Sequence, residues 1–181
     1  MRTKDFYSIV QSLKFTPRQG WVNRSLERDS IAAHTYGAMA LGWLIADEEG
    51  VDRNKVVEML LVHDFVMAKL EDITPSSGKY TQKKDLEKKA KELVGQTLPE
   101  SLKTCYTTLF DEFQAQETRE AKVAREADKL ETLLQGEAYE EKTGKSDILD
   151  EFLQTYESVF QTDTGKSIFE ELKTRHKERA K

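Results

Sequence analysis

Proline punctuates this chain, and only its first part: Pro17, Pro75 and Pro99 each stand between stretches of helix-like patterning, and none follows. Proline has no amide hydrogen and its ring clashes with the preceding helical turn, so it marks boundaries rather than interiors. No run of alternating β-branched residues argues for a sheet. The expected fold is therefore all-α. Helices are predicted over about 3–14, 30–49, 53–71, 81–94, 98–114, 118–142, 146–161 and 165–180, with a loop through Pro17, Gly20 and Trp21, a turn at Gly50, and a loop over about 74–80. Ser30 and Thr81 are placed to cap the helices that follow them, since a hydroxyl can accept from amides left free in a first turn. A chain of 181 residues without a long linker suits one domain with a real core. Beyond about residue 145, Phe152, Tyr156, Phe160 and Phe169 mark an amphipathic packing layer without evident chemistry.

Charged residues make up 34% of the chain and hydrophobic ones 38%, which implies a core wrapped in charged amphipathic helices. The net charge of −5 provides no basic field for a nucleic-acid polymer. A small anionic substrate would then need a local cation, either a metal ion or a few placed Lys and Arg. Cys105 is the only cysteine, which excludes an internal disulfide framework and a multi-cysteine zinc site and suits a reducing compartment. The opening MRTKDFYSIVQSLKF carries Asp5 and no continuous apolar stretch, so a signal peptide is not expected. No apolar run approaches the roughly 20 residues of a membrane helix. The expectation is a cytoplasmic protein.

The three histidines have different settings. His176 lies in KTRHKERAK, where a solvated role is expected. His34 shares a helical face with Ile31, Ala38, Leu41 and Ile45. His63 lies in VVEMLLVHDFVMAKL, which is apolar on nearly every side of a helix and implies burial. Asp64 follows it directly. An ionised carboxylate in a dry core costs several kcal/mol unless it is paired or meets a cation. These three residues could form a buried hydrogen-bonded cluster or a metal site. The second reading is preferred, because two imidazoles with a carboxylate suit Mn, Fe, Co or Zn, with Mg also compatible.

A helical histidine, a His-Asp pair 29 residues later and a distant helical aspartate together resemble the HD-domain phosphohydrolases. The segments LKFTPRQGWVNRS, RDSIAAH, VEMLLVHDF, EDITP and EAKVAREADKLE, in that order, look like the 5′-deoxynucleotidase branch of that family. The resemblance implies a single HD domain over 1–181, with an HD core over about 30–142, a substrate loop over about 15–25 and a C-terminal helical layer over about 146–180. It implies that His34, His63, Asp64 and Asp128 hold a divalent metal. Asp128 taken alone would read as an ordinary charge on an amphipathic helix. The resemblance also gives Asp72 a catalytic role in orienting water or the leaving group, although a turn aspartate is an equal reading.

On the substrate side, Arg18 or Arg24 could bind phosphate through paired N–H groups. Trp21 could stack on a base or anchor the loop in the core. Lys79, with Lys83 and Lys84, could meet a phosphate or simply form a solvated face. Two departures from the family stand out: Met67 occupies the place of a glutamate four residues after the histidine of His-Asp, and Ala33 replaces an acid before the first histidine. The implied activity is metal-dependent hydrolysis of a nucleotide phosphate, with deoxynucleoside monophosphates the nearest substrate. The alternatives are a deoxynucleoside triphosphate hydrolase with a site altered by Met67, and a degenerate domain that binds nucleotide without turnover. No membrane is expected as a partner, and a homodimer is compatible with the aromatic C-terminal helices.

Overall fold

The computed structural model describes residues 3–27, 29–70 and 83–179. Among these the fold is all-α, as expected, and the only β feature is an isolated antiparallel bridge between Pro17 and Ser30. In chain order the helices are α1 (Thr3–Phe15), α2 (Gln19–Val22), α3 (Ile31–Glu48), α4 (Arg53–Val62), α5 (Lys83–Gly95), α6 (Glu100–Ala115), α7 (Arg119–Thr143), α8 (Asp150–Tyr156) and α9 (Asp163–Arg179). Short 3-10 turns cover Phe65–Ala68 and Glu157–Val159.

The helix ends follow from local chemistry. Ser30 caps α3, its Oγ accepting from Ala33 N at 3.1 Å. Thr118 does the same for α7 through Ala121 N, and Gly144 closes that helix in the left-handed conformation at φ 71°. Asp52 Oδ1 accepts from Asn54 N and Lys55 N at the start of α4. Thr81 lies outside the described residues.

Two predicted helices are shorter than expected. The helix over 53–71 ends at Val62, and His63 and Asp64 form a turn before the 3-10 segment, in which Met67 N donates to Asp64 O at 3.0 Å. The stretch is apolar on nearly every side, so its pattern contains no stop signal. The helix over 146–161 is confined to α8 and its 3-10 extension. Leu149, just before α8, is fully buried, and its amide donates to Glu140 Oε1 at 3.0 Å.

Contacts divide the chain into two compact units. In the first (Met1–Ala33 with Leu61–Asp111), α1 and α5 both pack on the Phe65–Ala68 turn. Phe65 is its pivot: Phe6 meets it edge-on at 5.6 Å, and Tyr106 stacks on it at 6.2 Å. The loop between α1 and α3 is closed by Arg18 N donating to Asp29 O and Ile31 N donating to Thr16 O. In the second unit (His34–Leu60 with Glu112–Lys181), α7 is the central element and α9 packs along it. Gly42 of α3 lets α4 approach closely, since a β-carbon there would overlap Leu60. Phe160 and Phe169 stack at 4.4 Å in the expected C-terminal packing layer.

Candidate metal centre

His34 lies in the first turn of α3, which Ser30 caps, and its ring is buried. Asp128 and Glu131 stand three residues apart on one face of α7, so both carboxylates can reach the same imidazole. Asp128 Oδ1 lies 3.2 Å from His34 Nε2, and the Glu131 carboxylate meets His34 Nδ1. The other oxygen of Asp128 has Lys129 Nζ at 3.0 Å and Arg125 at 3.6 Å. His63 is buried in the turn after α4, with Asp64 Oδ2 at 3.3 Å from its Nε2.

His34, His63 and Asp128 each offer one donor atom, and these atoms lie within 4.8 Å of one another. The donor set fits a divalent ion. Two donors each about 2.1 Å from one ion stand about 3 Å apart, close to the 3.2 Å between His34 Nε2 and Asp128 Oδ1. Imidazole nitrogen with carboxylate oxygen suits a first-row ion, and burial removes competition from bulk water.

Several sequence expectations need revision. The Asp64 side chain is 22% exposed, in a turn rather than inside an oily helix, so desolvation alone does not demand a cation beside it. It adjoins the group of three without being one of its members. Trp21 is 1% exposed, with the Arg18 guanidinium 5.5 Å from its ring centre. A ring so enclosed anchors the loop, and base stacking would need a face it does not present. Arg18 also approaches Asp29 at 3.8 Å, and Arg24 donates to Gly20 O at 2.9 Å. Asp72 and Lys79 lie outside the described residues, as do the side chains of Lys83 and Lys84.

His176 is not solvated. It is 6% exposed, with Nδ1 at 3.0 Å from Glu140 and Nε2 at 2.9 Å from Asp150. Basic neighbours in the sequence hid a ring turned inward toward α7. The sequence reading also missed Glu131. In EADKLETLL it resembles any solvated glutamate, and only its three-residue spacing from Asp128 hinted at a shared face.

The HD-domain family model matches residues 10–173. The chain belongs to the HD-domain family of metal-dependent phosphohydrolases. Among curated relatives, a 5'-deoxynucleotidase HDDC2 from Xenopus laevis is 32% identical over 86% of this chain and 78% of its own length. Among solved structures, the PH0347 protein from Pyrococcus horikoshii OT3 is 29% identical, with a TM-score of 0.73 over 95% of this chain and 97% of its own. A protein from Magnetospirillum magnetotacticum MS-1, described as a predicted metal-dependent phosphohydrolase, is 25% identical, with a TM-score of 0.76 over 99% of this chain and 93% of its own.

Proposed function

We propose that the protein hydrolyses the 5′-phosphate from deoxynucleoside monophosphates at the buried group formed by His34, His63 and Asp128. That group carries the reading, and the activity in the name of the Xenopus laevis relative supports the choice of substrate. Asp64 completes the donor set. A divalent ion held there supplies Lewis acidity toward a phosphoryl oxygen and toward water. His34, His63, Asp64 and Asp128 hold it in place. Asp72 orients the attacking water or the leaving oxygen, and Arg18, Arg24 and Lys79 attract the phosphate. Trp21 fixes the loop that carries both arginines. The protein works in a reducing cytoplasm, in keeping with its single cysteine, and as a homodimer. No helix among the described residues is long and apolar enough to cross a membrane.

Met67 favours one alternative substrate. It is half-buried one 3-10 turn beyond Asp64, and a thioether there offers no proton and no negative charge. A less negative site tolerates a longer phosphate chain. The test is a nucleotide panel: deoxynucleoside mono- and triphosphates incubated with metal-stripped protein and with protein reloaded with Mn, Co, Zn or Mg. Inorganic phosphate released from a monophosphate only after reloading is the expected result. Release confined to triphosphates would replace this substrate assignment, and metal binding without any turnover would remove the enzymatic reading.

A further inference from the structure

We propose that Glu131 is the positioning residue of the metal centre, setting the tautomer and ring orientation of His34. The inference rests on the metal-site reading above and adds a residue to it. The Glu131 carboxylate reaches across from α7 to His34 Nδ1, 97 residues away in sequence. A carboxylate accepts and cannot donate when ionised, so it selects the tautomer with hydrogen on Nδ1. The lone pair is then on Nε2, the atom that lies 3.2 Å from Asp128 Oδ1. One face of α7 thus supplies both a donor toward the ion and the group that orients the opposing donor.

The neighbourhood is shaped around this contact. Gly37, one turn after His34 on α3, lies against the Glu131 stem, and a β-carbon there would come within 2.9 Å of Glu131 Cγ and 3.3 Å of Oε1. Any β-carbon there would oblige the Glu131 stem to shift from its present path to the ring. Ala33, on the turn that carries His34, is exposed and cannot serve the imidazole. The carboxylate of Glu131 therefore acts from the facing helix. Partners of this kind fix ring orientation and raise ligand basicity, and their loss typically weakens metal binding about 10–100-fold.

The test measures cobalt(II) affinity by chelator competition, together with the visible spectrum of the bound ion. Wild type is compared with Glu131→Leu, Glu131→Gln, Gly37→Ala and His34→Ala. Leucine fills similar space without an acceptor and is expected to weaken binding 10–100-fold with an altered cobalt spectrum. Glutamine keeps an acceptor oxygen and is expected to recover most of the affinity, which a purely packing role would not require. Gly37→Ala leaves both charges intact, displaces Glu131 and is expected to follow leucine. It provides the same test should the leucine variant fail to fold. Wild-type affinity in both Glu131→Leu and Gly37→Ala, with binding lost in His34→Ala, would overturn this inference and leave the metal site standing. Failure of the wild-type protein to bind cobalt would overturn the metal site itself.

Discussion

At the scale of single residues, position counts for more than residue type. Asp64 and Asp128 are both aspartates, yet Asp128 is buried on a helix with an imidazole at 3.2 Å, while Asp64 lies in a part-exposed turn. Asp64→Ala is expected to lower bound metal severalfold while far-ultraviolet circular dichroism stays unchanged. Full metal loading in that variant would remove Asp64 from the donor set. Glu126 shows a different use of a buried carboxylate. It accepts from Gln161 N at 2.5 Å, from Thr162 N at 2.8 Å and from Thr162 Oγ at 2.5 Å, serving amides at the start of α9. Gly165 makes this fit, because a β-carbon there would overlap the Glu126 carboxylate. Gly165→Ala should therefore destabilise by about 1–3 kcal/mol through overpacking, a fall of several degrees in Tm by differential scanning fluorimetry. An unchanged Tm would show that the carboxylate can move aside freely.

At the scale of elements, α7, α8 and α9 are joined by a charged cluster rather than by apolar contact alone. Arg175 and Arg179 of α9 pair with Glu137 of α7, and His176 bridges Glu140 of α7 and Asp150 of α8. Burial pushes the His176 pKa down, but hydrogen bonds to Asp150 and Glu140 outweigh it, and the net shift is upward. A group whose pKa rises on folding stabilises the fold fully below its unfolded value, about 6.5 for histidine, and loses that contribution as pH rises through the folded value. Urea denaturation of wild type and His176→Gln should therefore show the largest stability difference near pH 6, shrinking toward pH 9. A difference that is constant across that window would mean the imidazolium contributes nothing through its charge. The Glu137 carboxylate, held below its usual range chiefly by Arg175, runs the opposite way and loses its contribution as pH falls.

At the scale of the whole molecule, an ion that binds the folded chain and not the unfolded one stabilises it by mass action. At free metal 100 times Kd the gain is about 2.7 kcal/mol, which for a chain of this size raises Tm by roughly 5–10 °C. Adding Mn or Co to stripped protein should produce that rise, and His63→Ala should abolish most of it; an equal rise in the variant would place the stabilising ion elsewhere. The sequence alone determined the all-α class, most helix positions and the burial of His34 and His63, because helical periodicity, prolines and caps are local signals. Asp128, by contrast, stood out from other surface-like charges only through the resemblance to the HD-domain family. The end of α4 at Val62 was not legible, because a stretch apolar on every side gives no phase from which to read a stop. His176 and Glu131 were likewise decided only by tertiary structure. Each looks solvated in its own segment and becomes buried through a helix distant in the chain. A charge reveals its partner only once that helix is in place, whereas a hydrophobic stripe declares its face within a single turn.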